Sequence, residues 1–140
     1  MRTIMRTVAG AIIVTNGVVG LIGSALAADM TAAEIKAFLS GKTVYLEATT
    51  ASASGQAGQG VIYWAEDGTA LYKTPTGAMF HGKWEIKGNT NCAEWKERPN
   101  MGCVRYDKSG DVVRVIDVAS GQARARIVKT APGNAEKLAP

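Results

Sequence analysis

The clearest periodicity in the chain runs through residues 78–87, Ala-Met-Phe-His-Gly-Lys-Trp-Glu-Ile-Lys. Successive side chains of a β-strand point to opposite faces, so residues two apart share a face. One face of this segment carries Phe80, Gly82, Trp84 and Ile86, and the other carries Met79, His81, Lys83, Glu85 and Lys87. The segment is therefore predicted to be a strand with one face on a core and the other in water.

Turn sequences recur around this strand at intervals of roughly ten residues, which predicts about eight short antiparallel strands. Asp67-Gly68 is a strong hairpin signal because both residues tolerate positive φ. The other turns are Pro75-Thr76-Gly77, Gly88-Asn89, Ser109-Gly110 and Ser120-Gly121. Because a sheet must protect its edges, we predict a mainly β fold, a small up-and-down antiparallel β-barrel like that of the calycins, with a sandwich as the alternative.

Two later segments show other patterns. Residues 112–118 do not alternate cleanly, which predicts a β-bulge or a strand buried on both faces. In residues 123–127, Ala-Arg-Ala-Arg-Ile, the apolar residues alternate with Arg124 and Arg126. Regular alternation predicts that both arginines project from one polar face.

One short helix is predicted ahead of the strands, over residues 32–40. Thr31 and Glu34 match a capping box, in which the threonine hydroxyl accepts from a free backbone N–H and the glutamate reaches back. The apolar residues fall at helical spacing: Ile35, Phe38 and Leu39. Gly41 suits the left-handed conformation after a helix end. An apolar stripe on so short a helix needs a sheet or a barrel end to cover.

The first residues have the pattern of a secretory signal peptide. Arg2 and Arg6 provide the positive start, residues 8–26 form an apolar run, and Ala25-Leu26-Ala27 has the small residues that signal peptidase accepts. We predict cleavage after Ala27, with Ala28 as the second choice, and therefore a periplasmic or secreted protein. Four glycines in the run argue against an uncleaved anchor, so no stable membrane anchor is expected to remain.

The predicted organisation has three parts. Residues 1–27 form the signal peptide, residues 28–130 a single β domain, and residues 131–140 a flexible tail. Loss of Arg2 and Arg6 lowers the formal net charge from +4 to about +2. So small a charge, without a basic block, predicts no nucleic-acid partner.

The only two cysteines, Cys92 and Cys103, are predicted to form a disulfide because exported proteins fold in an oxidising compartment. Their spacing does not match a redox or zinc motif. Alternation places Trp95 and Tyr106 on inward faces and both cysteines on the opposite, polar faces. A cross-strand disulfide requires such matched faces.

Five aromatic residues are predicted to face the interior of the barrel: Trp64, Phe80, Trp84, Trp95 and Tyr106. In an open lumen they would bind a small apolar ligand. The alternative is that they fill the core, which side chains alone can do in a barrel of about eight strands. Residues 48–60 are small and polar and are predicted to be a mobile loop, either a lid, a contact loop or a plain connection.

Candidate catalytic residues are few. His81 is the only histidine and lies on the polar face, without a nearby pattern that would complete a triad. Glu66 and Asp67 flank a hairpin turn, and adjacent residues point to opposite faces of a strand. One histidine and scattered carboxylates do not make a metal site. We expect a non-enzymatic protein without a metal or cofactor, and keep a hydrolytic enzyme as the less favoured alternative.

A resemblance extends over most of the mature chain. Its motifs are Thr-x-x-Glu-Ile-x-x-x-Leu-x-Gly-x-Thr at 31–43, Asp-Gly-Thr at 67–69, Gly-x-Trp-x-Ile at 82–86, and Cys-x-x-Trp at 92–95 followed by Cys103. After a signal peptide, this order resembles families of small exported bacterial proteins of unknown function. The resemblance implies a periplasmic β domain and no particular activity. The Gly-x-Trp motif is also similar to that of lipocalins, where it lies in the first strand after a short helix.

These observations predict an exported β domain that binds a small apolar ligand or an envelope protein. The alternative is an inhibitor of a cell-wall-degrading enzyme such as lysozyme, acting by insertion of a loop.

Overall fold

A computed structural model describes residues 27–140. Apart from Ala27, the predicted signal peptide lies outside the described residues. The elements are β1 (Ala28–Asp29), α1 (Ala32–Leu39), β2 (Lys42–Ala48), β3 (Gly58–Trp64), β4 (Thr69–Lys73), β5 (Met79–Lys87), β6 (Thr90–Trp95), β7 (Cys103–Ser109), β8 (Val112–Asp117) and β9 (Ala123–Pro132).

Strands β2 to β9 form a closed antiparallel barrel. Each strand pairs with the next one along the chain, and β9 returns to pair with β2. This confirms the predicted up-and-down barrel of eight strands, and the sandwich alternative does not form. Successive connections alternate between the two ends of the barrel. The helix end holds α1 and the turns at 65–68, 88–89 and 110–111; the loop end holds residues 49–57, 74–78, 96–102 and 118–122.

The alternation predicted for residues 78–87 is present in β5. Phe80, Trp84 and Ile86 pack against the core, while the lysines between them are exposed. Gly82 lies opposite Trp95 on β6. A Cβ atom at Gly82 would lie 2.4 Å from the carbonyl oxygen of Glu94 and 2.9 Å from the Trp95 ring. The glycine therefore lets the Trp95 ring lie flat against β5.

The helix begins with the predicted capping box, since Glu34 accepts from the backbone N–H of Thr31 and Thr31 accepts from that of Glu34. It ends at Leu39, one residue before the predicted end, with Ser40 as its C-cap. Ile35 and Leu39 are fully buried. The amphipathic helix thus covers the helix end of the barrel, because this is where its apolar stripe can be buried.

The seam between β6 and β7 is the shortest in the barrel wall. Only two residue pairs are in register, Asn91 with Val104 and Cys92 with Cys103, and the second pair is a disulfide. Beyond them β1 pairs with the rest of β7, and Asp29 of β1 accepts a hydrogen bond from Arg105 at 2.6 Å. The predicted disulfide is therefore present, joins outward-facing cysteines, and fits an oxidising compartment.

Two bulges interrupt β9. The first lies opposite the residues 112–118 for which a bulge or a doubly buried strand was predicted, but its extra residue is in β9, because Val115 pairs with Ala125 while Ile116 pairs with Ala123. Arg124 is the extra residue, and it is buried. The prediction that Arg124 projects beside Arg126 from a polar face is therefore wrong. A bulge re-aims the side chain of its extra residue, so period-two alternation fails at that position.

The C-terminal segment differs from the predicted boundary at residue 130. Strand β9 continues to Pro132, and the following residues fold onto β2. The buried hydroxyl of Thr43 donates to the carbonyl oxygen of Gly133 at 2.6 Å and accepts from the backbone N–H of Ala135 at 2.9 Å. Leu138 is buried, so the segment predicted as a flexible tail folds back and is anchored at these residues.

Candidate functional site

The barrel encloses a cavity that extends from the helix end to the loop end. The space open to the centres of water-sized spheres is about 60 Å³. A single water needs at least roughly 10 Å³ by this measure, so the cavity can hold a few waters or one compact molecule. Its walls are mostly apolar and include Leu39, Val44, Leu46, Ile62, Trp64, Tyr72, Ala93, Trp95, Val104, Tyr106, Val115, Ala125 and Ile127.

The five aromatic residues predicted to line the lumen divide into two groups. Trp64, Trp95 and Tyr106 are buried and line the cavity. Phe80 and Trp84 are half-buried and, in the described part of the chain, lie outside the lining. The prediction that all five form one lumen surface is therefore wrong for these two: Trp84 lies toward the helix end, where its Nε1 donates to the carbonyl oxygen of Ala65 at 2.9 Å, and Phe80 packs on the rings of Tyr72 and Trp95.

The aromatic rings support one another. Trp64 packs edge-on against Trp84 with ring centroids 5.5 Å apart, and Trp95 lies 5.7 Å from Tyr72. Phe80 completes the cluster at 5.9 Å from Tyr72. Such pairs contribute about 1 kcal/mol each beyond their burial. The cavity wall on this side is thus a rigid, packed surface.

A polar pair lies within the apolar interior. The side-chain amide of Asn91 is buried, and its Nδ2 donates to the Tyr106 hydroxyl at 3.1 Å. Among residues 27–140 the Asn91 Oδ1 has no hydrogen-bond partner. Burial raises the pKa of Tyr106 well above its usual range, so its hydroxyl stays protonated. Alternation could have placed Asn91 inward, since it shares a face with Trp95, but the motif search did not single it out.

Arg124 borders the cavity at the loop end. One of its Nη atoms donates to Asp117 Oδ1 at 2.5 Å and also to the carbonyl oxygen of Met101. The side chains of Arg124 and Asp117 are only 10% and 15% exposed, so the pair is largely desolvated. Hydrogen bonds from Ser120, together with the nearby Arg124 charge, lower the pKa of Asp117 against the opposing effect of partial burial. The guanidinium charge is therefore balanced inside the protein.

Residues 49–57 fold inward across the loop end. Ser52 is buried, and its hydroxyl donates to the carbonyl oxygen of Gln56 at 3.0 Å. Arg98 reaches over from the neighbouring loop and donates to the carbonyl oxygen of Ala53 at 3.2 Å. Gly55 has φ +70° and leaves the space that the Arg98 guanidinium occupies. The loop is therefore a cover for the barrel, and both Ser52 and Ala53 line the cavity.

The residues considered for catalysis lie away from the cavity. His81 and Glu97 form a surface pair, with His81 Nδ1 2.7 Å from Glu97 Oε1, and the backbone N–H of His81 donates to the same carboxylate. Burial acts to raise the pKa of Glu97, but the hydrogen bonds from His81 outweigh it and lower the pKa. Glu66 and Asp67 are exposed at the opposite hairpin, where Asp67 accepts from the backbone N–H of Thr69.

Within residues 27–140, no group of three or more His, Cys, Asp or Glu residues is arranged to hold a metal ion. In that same part of the chain, no helix has the length and apolar character needed to cross a membrane.

The fold and the cavity define a class, a disulfide-linked antiparallel β-barrel with a covered, mostly apolar interior. No family model, curated protein or solved structure matches the chain.

Proposed function

We propose that this protein is a non-enzymatic, exported barrel that binds a small, mainly apolar molecule in its interior. The observation that supports this most directly is the cavity of about 60 Å³ enclosed by packed aromatic and aliphatic side chains. Protein interiors are close-packed, and voids of this size are few. A mostly apolar lining with a few polar groups is the composition of small-molecule sites, and a volume well below the roughly 300–1,000 Å³ of drug-sized pockets restricts the ligand to a very compact molecule.

The exported location is part of the proposal. It rests on the signal-peptide pattern of residues 1–27 and on the Cys92–Cys103 disulfide. Disulfides persist in the periplasm and outside the cell, and are rare in the cytosol. The disulfide also holds the shortest seam of the wall, which keeps Asn91 and Val104, the neighbouring cavity residues, in register.

Binding of an envelope protein, the other version of the prediction, has less support. The most exposed large hydrophobic residues in the described chain are Val112, Val118 and Val128. Val112 of β8 and Val128 of β9 lie side by side, because Val113 pairs with Ile127, but Val118 lies beyond the opposite end of β8, so the exposed apolar cluster is only a pair of valines. Protein-binding sites are expected to form contiguous apolar patches.

The inhibitor alternative requires a loop that enters another protein's active site. Residues 49–57 are the long loop that the sequence offers for this, but Ser52 is buried and Ala53 is held by Arg98. Their inward packing favours a cover over an inserting loop.

The test is a cavity-filling substitution combined with native mass spectrometry. Ala125 lines the cavity, and Ala125→Leu would occupy much of its free space. Ala123→Leu is the matched control, because Ala123 is exposed on the same strand. We expect wild-type protein and the control to gain a defined mass after exposure to an envelope extract, and Ala125→Leu to gain none. A wild-type protein that never gains mass would contradict the proposal.

A further inference from the structure

We infer that the cavity binds a small aliphatic alcohol of about four non-hydrogen atoms, whose hydroxyl group is held by Asn91 and Tyr106. This inference rests on the proposed function and adds the size and the chemical class of the ligand.

The volume of the cavity sets the size of the ligand. The space open to the centres of water-sized spheres is about 60 Å³. By this measure one water needs roughly 10–15 Å³, so the cavity has room for about four to six waters. A dry protein cavity that takes up benzene measures roughly 150 Å³. A six-membered ring is therefore too large, whereas a branched molecule of about four non-hydrogen atoms fits.

An acceptor without a partner lies on the cavity wall. Asn91 is 1% exposed and lines the cavity, yet its Oδ1 has no hydrogen-bond partner among the described residues. Leaving a buried acceptor unpaired is costly, because the hydrogen bond that it made to water in the unfolded chain is lost. A ligand that donates a hydrogen bond to Oδ1 removes this cost, and a ligand without an O–H or N–H group cannot.

Tyr106 supplies a donor beside this acceptor. It is 2% exposed, lines the cavity, and its oxygen accepts from Asn91 Nδ2 at 3.1 Å. Burial raises the pKa of Tyr106, so the hydroxyl keeps its proton and remains a donor. A hydroxyl group both donates and accepts. One alcohol group can therefore donate to Asn91 Oδ1 and accept from Tyr106.

Charge balance decides against an anionic ligand. Arg124 is the charged residue among those that line the cavity, and its guanidinium already binds Asp117 and the carbonyl oxygen of Met101. An anion would have to compete with the Asp117 carboxylate for this guanidinium. Burying a charge without a free partner is costly, so the cavity favours a neutral molecule.

The remaining wall suits an alkyl body. Leu46, Ile62 and Ile127 line the cavity together with the Trp64 and Trp95 rings. These side chains offer no charge to the ligand, and methyl groups gain from leaving water for such a surface. A branched alcohol such as 2-propanol thus places its hydroxyl on the polar pair and its methyl groups on the apolar wall.

The experiment titrates the folded, disulfide-bonded mature protein with 2-propanol, acetone and acetate, while the NMR shifts of backbone and side-chain amides are followed. The three compounds share one branched skeleton: 2-propanol donates and accepts a hydrogen bond, acetone only accepts, and acetate is charged. We expect 2-propanol to bind about tenfold more tightly than acetone, because only the alcohol gives Asn91 Oδ1 a partner. Acetate should bind more weakly than both.

Affinity and size provide a second comparison. A ligand of about four non-hydrogen atoms reaches a dissociation constant of roughly 0.05 mM at best, a range that NMR titration measures directly. Cyclohexanol carries the same hydroxyl group on a six-membered ring. It should bind at least about tenfold more weakly than 2-propanol, because the packed wall would have to move to admit it.

A pair of variants locates the discrimination. Asn91→Leu replaces the amide with an apolar group of similar size, and should lower the affinity for 2-propanol to about that for acetone. Gln59→Leu makes the same exchange at an exposed position of β3 and should change neither affinity. In the wild type, 2-propanol should shift the side-chain amide signals of Asn91. The wild-type comparison of the four compounds stays decisive if Asn91→Leu fails to fold.

The outcomes separate the two proposals. Equal binding of 2-propanol and acetone would overturn the inference and indicate that water stays on Asn91 Oδ1. Tighter binding of acetate would overturn the neutral class, and tighter binding of cyclohexanol would overturn the size. If none of the compounds binds but the wild type gains mass from an envelope extract, the inference fails and the proposed function stands. If neither is seen, both fail.

Discussion

The two ends of the barrel are closed by different physical means. At the helix end, α1 buries Ile35 and Leu39 completely, and Trp64 packs on Trp84. At the loop end, residues 49–57 contribute small side chains and are held mainly by hydrogen bonds, among them those from Ser52 to Gln56, from Thr49 to Ala123 and from Arg98 to Ala53. Burying a large apolar side chain contributes about 2 kcal/mol, whereas one exposed hydrogen bond contributes less than about 1 kcal/mol. The helix end is therefore part of the core, and the loop end is the side at which opening costs least.

The largest effect is expected at the helix end. Leu39→Ala removes a fully buried side chain and should lower the free energy of unfolding by about 3 kcal/mol. Chemical denaturation measures the change. Lys36→Ala, on the exposed side of the same helix, should change it by less than about 0.5 kcal/mol. Similar values for the two variants would mean that the helix does not close the barrel through its apolar stripe.

A smaller, pH-dependent effect is expected at the loop end. Asp117 has a lowered pKa in the fold, so it adds stability above its unfolded pKa of about 3.9, and that stability is lost as the pH falls through the folded value. Asp117→Asn should lower the free energy of unfolding by about 1–2 kcal/mol at neutral pH.

Denaturation of both proteins at several pH values provides the measurement. The difference in free energy of unfolding between wild type and Asp117→Asn should become smaller as the pH falls below about 4. Asp111→Asn at the helix end is the comparison, because Asp111 is an exposed turn residue. A difference that stays constant down to low pH would show that the Asp117 charge is not involved.

The smallest effect on stability is expected for the loop of residues 49–57, which covers the loop end. Arg98→Ala removes its hydrogen bond to Ala53 and should change global stability by less than about 1 kcal/mol. Amide hydrogen exchange should nevertheless become faster within residues 49–57, including the N–H groups of Ser52 and Gly55, which bond within the loop. Lys96→Ala is the control in the neighbouring loop. Unchanged exchange in Arg98→Ala would mean that the loop end is as firmly closed as the helix end.

The sequence predicted those parts of the fold that depend on local patterns. Thr31, Glu34 and the apolar residues after them predicted the helix to within one residue, because capping and helical spacing are local. The alternation in residues 78–87 predicted which side chains of β5 face the core. The prediction that Cys92 and Cys103 lie on the outward faces of their strands is also confirmed, because it depends only on the two-residue period of a β-strand.

Sequence patterns predicted less of the candidate site than of the fold. Trp64, Trp95 and Tyr106 line the cavity, whereas Phe80 and Trp84 pack against the core outside its lining. Arg124 enters the interior because a bulge shifts the register of β9 against β8. The position of that bulge depends on how two strands meet, which neither strand shows by itself. The resemblance to small exported bacterial proteins stays a prediction.

By itself the sequence determined the regular features of this protein: the capped helix, a meander of about eight antiparallel strands, and the disulfide pair; closure into a barrel was favoured over a sandwich, and the pairing of β9 with β2 decided it. These regular features depend on spacing along the chain. Only the tertiary structure decided the volume of the cavity, the inward fold of residues 49–57, the burial of Arg124 beside Asp117, and the unpartnered Oδ1 of Asn91. Each of these depends on the distance between residues far apart in sequence, and strand register and packing set that distance.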